Sequence, residues 1–158
     1  MILLWARVLG EGKERQNLEK LAVELNIDKF IIMPGFDKNP YRWLIKADVF
    51  ISSSLLDGCP NALLQALACG TPIVATDCPG GTAEILENGK WGRLIKLSDP
   101  DAMANAILDT VYSNSPKVGK LRATDFDPTK TAKKYLEIIF PHFNTIILII
   151  HYLLFNIS

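Results

Sequence analysis

Two hydrophobic periods alternate along this chain. Short, nearly solid apolar runs recur at Ile2–Leu9, Phe30–Met33, Asp48–Ile51, Pro72–Ala75 and Gly92–Ile95, most of them ended by glycine, proline or asparagine. Such runs predict buried strands. Between them, apolar residues are spaced three and four apart. Lys13–Leu25 places Leu18, Leu21, Ala22 and Leu25 on one face, with Lys13, Glu14, Arg15, Glu19, Lys20 and Glu24 on the solvated side. A short helix is expected from Asn39–Pro40 to Lys46, with Asn39 as cap. Another runs from Pro60 or Asn61 to Cys69 and stops at Gly70. Further helices are expected over Thr82–Leu86, from Ser98-Asp99-Pro100 to about Tyr112, and from Asp127-Pro128 to about Ile139. Ser113–Lys120 reads as a loop.

Strands that alternate with helices imply a mostly parallel sheet covered on both faces. The expected class is α/β, doubly wound, with one domain over residues 1–139. Residues 140–158 form an apolar tail without Asp, Glu, Lys or Arg. Its length approaches a membrane span, which needs about 20 apolar residues, but Pro141, His142, Asn144, His151 and Asn156 interrupt it. A packed or interfacial segment, a membrane helix and an aberrant chain end all stay open.

Composition narrows the function classes. Lys plus Arg and Asp plus Glu both number 17, so no basic excess points to nucleic acid. The three cysteines, Cys59, Cys69 and Cys78, form no CxxC pair and read as reduced, packed thiols. Both histidines, His142 and His151, lie in the tail. The body therefore lacks a histidine for a catalytic triad or a metal site. Neither a metal nor a bound cofactor is expected. A cytoplasmic location is the default, with peripheral membrane contact left open by the tail.

Candidate chemistry concentrates in Ser52–Glu84, SSSLLDGCPNALLQALACGTPIVATDCPGGTAE. Two glycine-containing turns each open a helix there. The first amides of a helix have no internal partner, and together with the helix dipole they favour an anion such as a diphosphate. Asn61 and Gln65 share a helix face one turn apart, while Leu63, Leu64 and Leu67 face the sheet. Gln65 can donate and accept, which suits a ribose hydroxyl. An ordinary capped helix with outward polar residues explains the same pattern.

Several stretches taken in order carry a family resemblance: GEGKERQNLEKLAVELNI, MPGFDKNPYRWLIKADVFISSS, DGCPNALLQALACGTPIVATDCPGG, the Glu of TAEIL, NGKWGRLIKLSDPDAMANAI and FDPTKTAKKYLEII. From about Ile2 to Ile139 the chain resembles the C-terminal, donor-nucleotide domain of the family 4 (group 1) glycosyltransferases. The resemblance implies a Rossmann-like sheet, one half of a GT-B fold. It also implies metal-free transfer of a sugar from a nucleotide-sugar, with retention, to a glycan or lipid-linked acceptor. Pro34, Gly35 and Phe36 would lie beside the base. Gly58, Asn61, Ala62 and Leu63 would offer amides to the diphosphate. Asp57 would lie on the donor-sugar side as the catalytic carboxylate, Gln65 would hold the ribose, and Gly80, Gly81 and Glu84 would form a second donor-site turn. The DCPGG wording of that turn points, at family level, to a UDP-sugar.

Two departures accompany the resemblance. The family signature carries glutamates where Asp57 and Gln65 stand. The family's leading strand, with a Gly-Arg-Leu turn and a nearby Lys, and the acceptor-binding domain have no counterpart in the sequence. Lys13 and Arg15 follow a different strand and do not replace those cations. A central slot beside the Ile2–Leu9 strand is therefore expected to be empty, or filled by the tail near Ile146–Leu154, by another chain or by closure of its neighbours. Three roles stay open: a transferase, a nucleotide-binding module working with a separate acceptor-domain chain, and a fragment without ligand.

Overall fold

The computed structural model describes residues 4–113 and 119–140. The chain divides into two compact units, Met1–Trp43 and Leu44–Ser158.

In the first unit, strand β1 (Ala6–Leu9) pairs in parallel with β2 (Ile31–Gly35), with Ala6 opposite Ile31 and Leu9 opposite Gly35. Helix α1 (Arg15–Glu24) connects them, and a single 3₁₀ turn, Asp28–Phe30, precedes β2 where the sequence suggested the strand had already begun. Pro34-Gly35 does not stop β2 as expected. The register slips between Arg7 and Leu9, and a strand paired on one side at an irregular register tolerates a residue without an amide hydrogen. Helix α1 differs more. Of the face expected to be buried, only Ala22 is (5% exposed), while Leu18, Leu21 and Leu25 are 43%, 47% and 57% exposed. A two-stranded sheet offers too little surface to cover them. Arg15 instead ties α1 to β2: Nη2 donates to the Met33 carbonyl (2.7 Å), Nη1 to Glu11 (2.6 Å) and Nε to Glu19 (2.9 Å). This arginine is engaged in structure.

Helix α2 (Tyr41–Leu44) spans the unit boundary. Its entry is organised by Asp37 rather than by an Asn39 cap. The Asp37 carboxylate accepts from the Asn39 amide (2.9 Å), Trp43 Nε1 (2.6 Å) and Arg42 Nε (2.8 Å). These bonds hold its carboxyl below the usual range, the Asn39 amide first, then Trp43, then Arg42.

The second unit carries a three-stranded parallel sheet in the order β3 (Phe50–Ser52), β4 (Ile73–Thr76), β5 (Arg93–Ile95). Phe50 lies opposite Ile73, and Val74 opposite Arg93. Parallel neighbours need crossovers. Helix α3 (Asn61–Cys69) supplies the first and α4 (Thr82–Ile85) the second. Every residue of β4 is buried, as a central parallel strand requires. Leu63, Ala66 and Leu67 of α3 are fully buried against Ile73, Ala75, Ile85 and Leu86. Burying one such leucine stabilises by about 1.5–3 kcal/mol. Gly70 ends α3 in the left-handed region (φ 75°), where its amide and that of Thr71 close onto Leu67 and Ala66. The Thr71 hydroxyl donates to the Leu44 carbonyl (2.7 Å).

Helix α5 (Pro100–Tyr112) starts as its sequence demands, with Asp99 accepting from the Ala102 amide at 2.9 Å. Helix α7 (Pro128–Ile139) is capped in the same way by Asp127, whose carboxylate accepts from Thr129 (2.7 Å) and Lys130 (3.3 Å). Of the loop expected over Ser113–Lys120, residues 114–118 lie outside the described residues, and its last two open helix α6 (Gly119–Ala123), which a 3₁₀ turn, Thr124–Phe126, follows. Helix α6 lies against α3: a Cβ on Gly119 would stand 2.8 Å from Leu67 Cδ2 and 3.3 Å from its backbone. Five residues are too few for a helical period to be read from sequence.

Among the described residues, β1 pairs only with β2, and β3 only with β4. The Ile146–Leu154 segment expected to fill a slot lies outside the described residues. No helix among the described residues is long and apolar enough to cross a membrane.

Candidate functional site

The central finding is that the two glycine turns of Ser52–Glu84 are one structure. Beyond the carboxyl end of β3 the chain reaches Asp57, which forms an isolated parallel bridge with Gly80. The Asp57 amide donates to the Pro79 carbonyl (3.3 Å), and the Gly81 amide donates to the Asp57 carbonyl (3.0 Å). This approach is possible only without side chains. A Cβ on Gly80 (φ +121°) would lie 2.0 Å from the Asp57 carbonyl oxygen, and one on Gly81 would lie 2.7 Å from that of Gly58. The turns therefore extend the β3–β4 pairing past the regular sheet, at the carboxyl ends of parallel strands where open α/β sheets bind ligands.

Two side chains brace the same region. The Thr76 hydroxyl, at the end of β4, bonds the carbonyls of Ser54 and Ser52. Cys78, 4% exposed, lies 3.5 Å from the Thr82 hydroxyl. Cys78 behaves as the packed thiol expected, and Cys69 is half-buried, its thiol pushed up by burial. Cys59 departs from that expectation: it is exposed in the first turn.

Pro60 caps α3 without a side-chain hydrogen bond, and its carbonyl accepts from Leu63 (3.0 Å) and Leu64 (3.2 Å). The amides of Asn61 and Ala62 donate to no acceptor among the described residues. Both residues are exposed, as is Gly58. Leu63 is fully buried, so its side chain anchors the helix start. Asp57 and Gln65 are half-buried, and neither side chain is hydrogen-bonded among the described residues. Their polar ends are therefore not consumed by structure. Glu84 is exposed in the first turn of α4.

Pro34, Gly35 and Phe36 belong to the first unit, at the end of β2. Gly35 is buried and its carbonyl accepts from the Gly10 amide (2.9 Å). Phe36 is 76% exposed, a bare aromatic face directly after the strand. Among the described residues no group of histidine, cysteine, aspartate and glutamate side chains could hold a metal ion.

Sequence reading missed Thr76, which braces the turn, and Arg122, whose Nε and Nη2 donate to the Ile85 and Glu84 carbonyls at the end of α4, both at 2.9 Å. Thr76 was legible only as a polar residue closing the apolar run PIVAT. Arg122 fell beside the expected loop, and its only signal was an arginine three residues before Asp125 and four before Phe126.

Comparison with known proteins adds the family. The family model described as glycosyl transferases group 1 matches residues 5–112. A Campylobacter jejuni N-acetylgalactosaminyltransferase, acting on N-acetylgalactosamine-N,N'-diacetylbacillosaminyl-diphospho-undecaprenol, is 31% identical over 82% of this chain and 37% of its own length. The lipopolysaccharide core biosynthesis glycosyltransferase LpsE of Rhizobium meliloti is 33% identical over 72% of this chain and 33% of its own length. This chain thus spans about a third of these curated relatives. Among solved structures, Staphylococcus aureus TarM, in complex with fondaparinux, alpha-GlcNAc-glycerol and UDP, superposes with a TM-score of 0.76 at 21% identity, covering 85% of this chain and 28% of TarM. Anabaena HepE in complex with UDP gives a TM-score of 0.74 at 20% identity, over 86% of this chain and 40% of its own. These likenesses establish the Rossmann-like, parallel α/β fold of the GT-B glycosyltransferases. With its motif order, its sheet topology and the match over residues 5–112 in agreement, the chain belongs to the group 1 glycosyltransferases.

Proposed function

We propose that this chain forms the donor-nucleotide site of a retaining glycosyltransferase that takes a UDP-sugar and serves a glycan or lipid-linked acceptor. The observation that carries the reading is the bridged pair of turns, Asp57–Gly58 and Gly80–Gly81, set before an α3 start whose Asn61 and Ala62 amides are unpartnered. Those amides and the helix dipole take the diphosphate. Gln65 bonds the ribose as a neutral partner, and Asp57 lies on the sugar side. Gly80, Gly81 and Glu84 border the donor sugar. The UDP in the TarM and HepE structures supports this choice of nucleotide. The lipid-linked or lipopolysaccharide substrates in the relatives' names support the acceptor class.

Calorimetric titration with UDP, UDP-N-acetylhexosamines, ADP and GDP tests the donor reading. Binding of UDP over the purine nucleotides is expected. Gln65→Glu, which supplies the charge of the family signature, should tighten UDP by about three- to tenfold, since a charge-assisted bond is roughly twice as strong as a neutral one. No heat at millimolar UDP for either protein removes the reading.

A second reading shares the donor site but assigns acceptor binding to a separate chain. The exposed Trp5, Val8, Leu21 and Ile32 of the first unit favour it, because each is a large apolar side chain left bare for a partner to cover. UDP binding without transfer to any acceptor by the chain alone, and transfer once an acceptor-domain chain is added, distinguishes the two.

A further inference from the structure

We propose that Arg122 is a positioning residue for the donor turn, holding Gly80–Gly81 against Asp57 through the short helix α4. The inference rests on the reading that this turn pair takes the nucleotide. Helix α4 spans Thr82–Ile85, a single turn. So short a helix has no stability of its own, and its last carbonyls lack intrahelical donors. The amides of Leu86, Asn88 and Glu87 in the following turn donate to the carbonyls of Thr82 (3.0 Å), Ala83 (2.8 Å) and Glu84 (3.1 Å), and Arg122 of α6 adds donors at Glu84 and at Ile85. Its Nε donates to the Ile85 carbonyl and its Nη2 to the Glu84 carbonyl, both at 2.9 Å. A cation is also the charge that a helix C-terminus favours.

The guanidinium is itself fixed. The Arg122 side chain is 13% exposed, with Nη1 at 3.0 Å from Asp125 and 3.3 Å from Glu87, and the guanidinium lies 4.6 Å from the centre of the Phe126 ring. Two flanking carboxylates and an aromatic face leave it one orientation.

A relay then runs from Arg122 to the turn. The Glu84 carbonyl and the Ile85 amide belong to one peptide group. Arg122 polarises that group, and its amide donates to the Gly81 carbonyl at 2.9 Å. The Gly81 amide in turn holds the Asp57 carbonyl at 3.0 Å. The Gly81 carbonyl and the Gly81 amide belong to the two peptide groups that flank one Cα, so the link across Gly81 is positional: fixing one group limits where the other can lie. Arg122 thus touches neither Asp57 nor Gly81, and meets Glu84 only at its backbone carbonyl, yet it fixes the end of the helix that the glycine turn opens.

The test measures two quantities on the whole chain: amide hydrogen exchange by residue, and UDP affinity by calorimetry. In Arg122→Met, exchange at Gly81 and Ile85 should rise by about tenfold or more while Val74 and Ala75 of β4 stay protected, and UDP should bind about tenfold more weakly. Arg122→Lys, with one point donor in place of a fork, should fall between; it carries the test if the methionine variant does not fold. Ala106→Gly, in buried contact on α5, should lower Tm yet leave Gly81 exchange and UDP affinity unchanged. If Gly81 and Ile85 keep wild-type protection, or if the β4 amides accelerate equally, the inference is overturned. If the wild-type chain binds no UDP, the nucleotide reading falls, and the exchange pattern still decides the role of Arg122.

Discussion

The two units of this chain use the same sequence grammar and reach opposite results. In the second unit, β4 is buried along its whole length and Leu63 and Leu67 are completely enclosed. In the first, Ala22 is the only buried apolar side chain among the described residues, while Trp5, Val8, Leu21, Val23 and Leu25 are 43–61% exposed. Apolar strands and an amphipathic helix are present in both. The difference is cover: a parallel strand is buried only when it has neighbours on both sides and helices over its faces. Among the described residues the second unit has a central strand and the first has none. Hydrophobic patterning therefore specifies which face an element will bury, but burial itself depends on how many partners the fold supplies.

The largest effects should fall where the second unit is closed most tightly. Gly80→Ala forces a Cβ to within 2.0 Å of the Asp57 oxygen at φ +121°. We expect it to cost about 4 kcal/mol or to prevent folding of that unit, as read by urea unfolding. Gly12→Ala, with nothing within 4 Å, should change stability by less than about 0.5 kcal/mol. Equal costs for the two would dissolve the contrast. Next comes a matched pair of leucines. Leu67→Ala should lose about 3 kcal/mol through cavity formation, and Leu21→Ala, 47% exposed, under about 0.5 kcal/mol. A large loss at Leu21 would mean that the first unit has a core after all.

A smaller effect is expected from polar substitution of the bare surface. Val23→Lys with Leu25→Lys should reduce self-association in light scattering and leave unfolding unchanged within about 0.5 kcal/mol. Loss of structure in that variant would show these side chains to be holding α1 in place.

How much of this was legible beforehand depended on element length. Asp99-Pro100 and Asp127-Pro128 announced α5 and α7 correctly because capping is local chemistry. Gly70 likewise marked the end of α3. The five residues of α6 left no period to read, and its placement on Leu67 through Gly119 is a tertiary fact. Leu18, Leu21 and Leu25 were read as buried because periodicity records preference without recording supply. In the candidate site, both glycine turns were visible as separate anion-friendly junctions. Their union was not, since the Asp57–Gly80 bridge joins residues whose pairing no local pattern encodes.

The smallest expected effect concerns acid. The Asp37 carboxyl in the first unit is held below its ordinary range, about 3.9 when unfolded, by the Asn39 amide, Trp43 and Arg42. A depressed folded value means that its stabilising contribution is complete above that unfolded value and is lost as pH falls through the folded one. Glu87, lowered chiefly by its Lys90 hydrogen bond, and Asp127, lowered by the Thr129 amide, add the same sign in the second unit. Asp37→Asn should flatten the pH dependence of first-unit amide protection below about pH 4 and leave the second unit's acid response intact. A change spread over both units would erase the distinction between them.

The Asp57–Gly80 bridge has an evolutionary corollary. Because backbone atoms join the two loops directly, neither can gain or lose a residue without misaligning the other. Insertions and deletions there should be inherited in compensating pairs, and recombination between homologues should succeed when both loops travel on the same segment.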